Sequence, residues 1–182
     1  MRLVRRLLAT AVVLLVIAGP GAPAATAKSY RFPLVRIVAT LQPDGSLDLI
    51  EQRTFAFDGS FSGADWTVEW PSRLVEGLAV YEGATQVDAT VTGDDETATA
   101  SWGFSAADEE RTWTIMYTAH CAARVSSDAA HLLWEFVGEW GVPTDRVEIV
   151  LTLPEVAEAP PVRPKKCPAP TDPASVPTRP LA

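Results

Sequence analysis

From residue 30 to residue 154 the apolar side chains recur mainly at every second position, and the breaks between such runs are rich in Gly, Asp, Pro and Ser. Side chains of a strand alternate between its two faces, so a period of two predicts half-buried strands. Val35, Ile37, Ala39 and Leu41 fall on one face of a first strand, and Leu47, Leu49, Phe55 and Phe57 on one face of a second. Between them Pro43-Asp44-Gly45 is a tight turn in which Gly45 can take positive φ, so the two runs predict a hairpin. The same alternation predicts strands at 66–70, 74–81, 87–91, 97–104, 113–119 and 147–153, with a second hairpin tip at Gly93-Asp94-Asp95. Residues 127–136 fit a short helix as well as a loop leading into a strand, and are read as loop plus strand. About eight short strands without a long helical pattern predict an all-β fold, a single antiparallel β-sandwich. The segment is long enough for a two-layer core without help from disulfides.

The two ends break this pattern. Residues 1–27 begin with Arg2, Arg5 and Arg6, continue into an unbroken run of weakly polar or apolar residues at 7–18 (LLATAVVLLVIA), and finish in Ala25-Thr26-Ala27. A cationic start, a short apolar core and a small-x-small site predict a secretory signal peptide. Gly19-Pro20-Gly21 interrupts the run well before the roughly 20 residues that a spanning helix needs. No later run reaches that length, so a secreted protein, or one on the outer side of a bacterial membrane, is expected. At the other end, eight of the fifteen prolines lie in residues 155–182, a composition that cannot bury a core and predicts a disordered tail. The expected organisation is therefore a leader (1–27), a sandwich ectodomain (28–154) and a Pro-rich tail (155–182). The chain has no Asn and only three Lys, which suits a GC-rich bacterial gene and leaves no N-glycosylation acceptor.

Dividing the chain in this way changes the meaning of its net charge of -8. Residues 28–154 hold eight basic and twenty acidic residues, a balance of -12 that the ends conceal. Neither nucleic acid nor an anionic membrane surface is then expected as a partner, because both are bound by clustered Lys and Arg. An envelope protein or a glycan remains open.

Candidate chemistry is sparse. Glu51 and Arg53 fall in register with Leu49 and Phe55 on the inward face, where unpaired charges would be very costly. The simpler expectation is an edge position or a β-bulge that re-aims the pair; the alternative is a polar site with partners across the sheet. The two histidines, His120 and His131, are read as surface or packing residues. His120 and Cys121 are neighbours on a strand and so point to opposite faces, which excludes a Cys-His dyad there. By that parity Cys121 lies inside with Ile115 and Tyr117, poorly placed to bond Cys167 in the tail; the alternative, open to an exported protein, is a disulfide that pins the tail to the sandwich. Asp94-Asp95-Glu96 and Asp108-Glu109-Glu110 sit where turns should be polar and lack the calcium-loop spacing. The six tryptophans are read mainly as core, with an exposed carbohydrate platform as the alternative. No catalytic, cofactor-binding or metal-ligating residue is assigned, no cofactor is expected, and the chain is read as non-enzymatic.

Two stretches carry a family resemblance. The first is Leu41-Gln42-Pro43-Asp44-Gly45-Ser46-Leu47-Asp48-Leu49-Ile50-Glu51, running on to Phe55, Phe57 and Gly59. The second is Trp113-Thr114-Ile115-Met116-Tyr117, then Asp128, Leu133-Trp134, Gly138-Glu139-Trp140 and Val147-Glu148-Ile149-Val150-Leu151-Thr152-Leu153-Pro154. Together they resemble the N-terminal extracellular part of the domain of unknown function 2207 family of predicted bacterial membrane proteins, over roughly residues 30 to 154. The resemblance implies a β-rich envelope ectodomain of unknown activity and carries over no site residue; with no catalytic pattern in the sequence, a non-enzymatic interaction or sensing module is the expectation. Beyond Pro154 the family pattern implies further strands and a membrane span, whereas this chain turns Pro-rich. A secreted short form or a frameshift near residue 160 would each produce such a departure, and the adjoining DNA distinguishes them.

Overall fold

The computed structural model describes residues 28–125, 130–138 and 140–154, together with Cys167. The expected leader, the rest of the tail, Asp128 and Glu139 lie outside the described residues. Among the described residues eleven strands and one 3-10 turn follow one another: β1 (Ser29–Leu41), β2 (Leu47–Asp58), β3 (Ser60–Val68), the turn Ser72–Leu74, β4 (Val75–Glu82), β5 (Thr85–Gln86), β6 (Ala89–Gly93), β7 (Ala98–Ala107), β8 (Glu110–Ala119), β9 (Ala123–Val125), β10 (Ala130–Leu132) and β11 (Val147–Thr152). A six-stranded sheet in the order β11-β1-β2-β8-β4-β5 faces a three-stranded sheet, β3-β7-β6, and β9 and β10 form a separate pair. The all-β sandwich is as the alternation predicts, with one qualification: β11 runs parallel to β1, while every other strand pair is antiparallel.

The first hairpin forms where expected. Gly45 takes φ 84°, and the Asp44 carboxylate accepts from the Ser46 N–H at 3.0 Å and the Ser46 hydroxyl at 2.6 Å. Those two hydrogen bonds, made to the ionised form, hold the Asp44 pKa below its ordinary value. The second tip uses the same device, the Asp94 carboxylate accepting from the N–H groups of Glu96 and Thr97 at 2.8 Å each. The acidic clusters thus serve the turns. Asp108, with φ 52°, accepts from the Gly59 N–H at 2.7 Å and ties together the two corners where the chain passes between the sheets, β2 to β3 and β7 to β8. Pro33 lies within the register shift between Arg31 and Leu34, a place where its missing N–H is tolerated.

Alternate residues from both sheets meet in the core: Val35, Ile37, Ala39, Leu47, Leu49, Phe55 and Phe57 from the first hairpin, Trp113, Ile115 and Tyr117 from β8, and Trp66, Ala100 and Trp102 from the smaller sheet. The six tryptophans divide evenly. Trp66, Trp102 and Trp113 are buried, and Trp70, Trp134 and Trp140 are partly buried against the same core.

Two glycines of the smaller sheet differ in what they permit. A Cβ at Gly93 would come within 2.4 Å of the Thr97 carbonyl oxygen and 2.6 Å of the Ser72 Cβ, whereas one at Gly103 would meet the nearest atom, the Ser62 carbonyl oxygen, at 3.8 Å. Gly93→Ala is therefore expected to destabilise by about 1–3 kcal/mol through overpacking. Gly103→Ala should be neutral or stabilising by up to about 1 kcal/mol, because it restricts the unfolded chain. Urea unfolding midpoints of the two variants, measured side by side, check the contrast.

A buried carboxylate as the candidate functional site

Glu51 stands on β2, the third strand of the six-stranded sheet, between Ile37 of β1 and Ile115 of β8. It faces inward and is 5% exposed. The expectation that an edge or a bulge re-aims it is corrected here: β2 is an interior strand, and its pairing with β1 and β8 is continuous through residues 51–53. The parity of the strand therefore persists, and the charge goes into the core with its apolar neighbours.

The carboxylate is compensated by donors from three strands. One oxygen accepts from the Tyr117 hydroxyl of β8 at 2.8 Å. The other accepts from the Trp66 indole N–H of β3 at 3.0 Å, and from the Arg53 guanidinium at 2.7 and 3.2 Å. Trp66 reaches this point from the opposite sheet, so the contact spans the sandwich. Arg53 is itself roofed: its guanidinium carbon lies 4.8 Å from the centre of the Trp140 ring and 5.8 Å from that of Phe32. A delocalised cation over an aromatic face recovers part of the solvation lost on burial.

Burial, together with the neighbouring Glu51 charge and the hydrogen bond to it, raises the Tyr117 hydroxyl far above the ordinary tyrosine range. Its proton stays in place in the folded state, while the unfolded tyrosine ionises near pH 10. The folded state then binds more protons, so the Tyr117 contribution to stability is present below about pH 10 and falls as pH rises above it. Tyr117→Phe should flatten that alkaline slope. It should also cost about 1–3 kcal/mol near neutrality, because a Glu51 oxygen loses its donor. Unfolding free energies at a series of pH values from 7 to about 11 separate the two effects.

The other singled-out residues serve different ends. His120 lies against Glu76, its Nε2 2.6 Å from a carboxylate oxygen, and His131 is exposed on β10. The interior placement of Cys121 is corrected, because β8 ends at Ala119 and Cys121 takes φ 64° in the turn that follows. Alternation of faces stops with the strand, which leaves Cys121 half-buried and bonded to Cys167, with the two Cα atoms 5.6 Å apart. Among the described residues no group of three or more His, Cys, Asp or Glu side chains is arranged to hold a metal ion. Trp70 and Trp134 meet with ring centres 5.2 Å apart, and the Trp70 indole N–H donates to the His120 carbonyl at 3.0 Å. The alternation of polarity marks Glu51 and Arg53 as anomalous, yet it contains no trace of Trp66 or Trp140 as their partners.

Residues 31–173 match the model of a protein family described as "Predicted membrane protein (DUF2207) N-terminal domain". The match continues past Pro154 into the Pro-rich stretch and includes Cys167, so the expected departure at Pro154 is corrected. A stretch without strand periodicity gives alternation nothing to follow, although it holds the cysteine that bonds the sandwich. No curated protein matches the chain. A solved structure similar to it is a "putative nutrient binding protein" from Legionella pneumophila, with 13% identity and a TM-score of 0.39, covering 49% of this chain and 39% of that one. A likeness this slight has no functional meaning. No described helix is long and apolar enough to cross a membrane.

Proposed function

The chain belongs to the family of predicted membrane proteins that share the DUF2207 N-terminal domain, and on that premise we propose that it is a non-enzymatic interaction or sensing ectodomain on the outer side of a bacterial membrane. One observation carries this reading. The buried carboxylate of Glu51 has both oxygens occupied by Trp66, Arg53 and Tyr117 and joins the two sheets. The side chains offered to solvent include large apolar ones, among them Leu133, Val137 and four residues of the 149–153 segment. Such surfaces bind other surfaces. Location is tested by adding protease to intact cells that produce the protein. Degradation is expected, and full protection alongside digestion of a known surface protein would reject an external domain.

A second reading, a wall-glycan module, draws on the partial burial of Trp70, Trp134 and Trp140. It expects cell-wall glycan fragments to quench tryptophan fluorescence, with the effect lost in Trp134→Ala. An unchanged spectrum at saturating glycan would discard it.

A further inference from the structure

Strand β11 closes one side of the larger sheet, and among the described residues no strand pairs with its outer rim. Natural edge strands are protected by Lys, Pro, bulges or a covering element. Residues 147–152 contain no Lys or Pro, and their one charge, Glu148, is held by Arg36 at 2.9 Å and Arg146 at 2.5 Å on its own chain. Val150 is 54% exposed on the outer face, and Ile149 and Leu151 remain 43% and 39% exposed on the face that leads to the core.

The backbone limits what can be added here. The Arg146 carbonyl accepts from the Val35 N–H at 2.9 Å, so along the parallel ladder the even-numbered residues bond to β1. Val147, Ile149 and Leu151 then turn their N–H and C=O groups outward. A second β11 running antiparallel can bond only if odd residues meet odd ones, which also keeps the core faces of both copies on the same side.

Polarity selects one register among those allowed. Residues 147–153 read Val-Glu-Ile-Val-Leu-Thr-Leu, a pattern of apolar and polar positions symmetric about Val150. With a two-fold axis at Val150, Ile149 faces Leu151 of the second copy, Val147 faces Leu153, and Val150 faces itself. Glu148 then faces the Thr152 hydroxyl rather than another carboxylate. Moving the axis to residue 149 sets Glu148 against Val150, and moving it to residue 151 sets Val150 against Thr152. The acidic charge of the domain is no obstacle here, since this edge holds Arg31, Arg36 and Arg146 against Asp145 and Glu148.

We propose that the occupant of this edge is a second copy of the chain, joined β11 to β11 in antiparallel fashion about Val150, so that the two larger sheets become one. Such an interface is isologous and closed, and it leaves no free edge at this side. Nothing in this pairing depends on the membrane location proposed above.

The test is self-association of the purified full chain by sedimentation equilibrium, with three single-site variants. The wild-type protein is expected as a dimer. Val150→Lys places two ammonium groups opposite each other and should weaken association at least tenfold without altering the thermal transition, because the side chain is exposed. Val150→Cys should cross-link the dimer on mild oxidation, since only residue 150 faces itself, and Thr152→Cys should not. A wild-type monomer at the highest soluble concentration, a dimer untouched by Val150→Lys, or equal cross-linking at residues 150 and 152 would each overturn the proposal. So would a monomer in which the outward amides of Val147, Ile149 and Leu151 resist hydrogen exchange, which would mean that another segment covers the edge.

Discussion

Replacing Glu51 with alanine is expected to lower the unfolding free energy by about 3–5 kcal/mol, the range for breaking a buried ion pair by removing one member. The loss has three parts. Arg53, with its side chain only 11% exposed, keeps its charge but loses its counter-ion. Trp66 and Tyr117 each lose the acceptor of a hydrogen bond made inside the sandwich. Their orphaned N–H and O–H groups cannot easily reach water, because they lie between the sheets. Glu51→Gln retains the volume and one acceptor oxygen, so its cost should be smaller than that of alanine. Pairing Glu51→Ala with Arg53→Met should restore part of the loss, since the unpartnered cation is then gone. Denaturant unfolding of the single and double variants measures the coupling. A Glu51→Ala variant as stable as the parent would mean that the carboxylate is not the tie between the sheets.

Loss of the Cys121–Cys167 bond is the second large effect. It closes a separation of 46 residues that includes β9, β10, Trp134, Trp140 and β11. Constraining a loop of that length in the unfolded chain stabilises the folded one by roughly 4 kcal/mol. Cys167→Ser should remove most of that amount, and adding reductant to the parent protein should lower its unfolding midpoint toward that of the variant. The consequence extends beyond the bond itself. Trp140, which roofs Arg53, lies on the segment enclosed by this loop, so reduction should also expose that ring. A red shift of tryptophan emission on reduction, ahead of global unfolding, is the expected signature. If Cys167→Ser unfolds at the parent's midpoint, the bond contributes nothing measurable.

Much of the fold can be read from alternation alone. Val35 to Leu41 and Leu47 to Phe57 pair as the Pro43-Asp44-Gly45 turn dictates, and Trp113, Ile115 and Tyr117 point inward as their spacing requires. Period two is a local property of an extended backbone, so it shows wherever one face is buried. It is silent about which strands become neighbours. β11 is evident as a strand, yet its parallel pairing with β1 follows from a crossover of the chain and not from any residue within it. Parity also misleads once a strand ends, as it does for Cys121.

The candidate site divides in the same way. That Glu51 and Arg53 occupy the apolar face of β2 is determined by the sequence itself, because their register with Leu49 and Phe55 admits no other side once β2 is an uninterrupted strand. Whether those charges are tolerable was decided only by the tertiary structure. Trp66 comes 15 residues later from the opposite sheet, Tyr117 comes 66 residues later from the adjacent strand, and Trp140 arrives from beyond β10. Hydrogen bonds between such distant positions depend on how the sheets stack, and stacking is a property of the whole chain that no local period encodes.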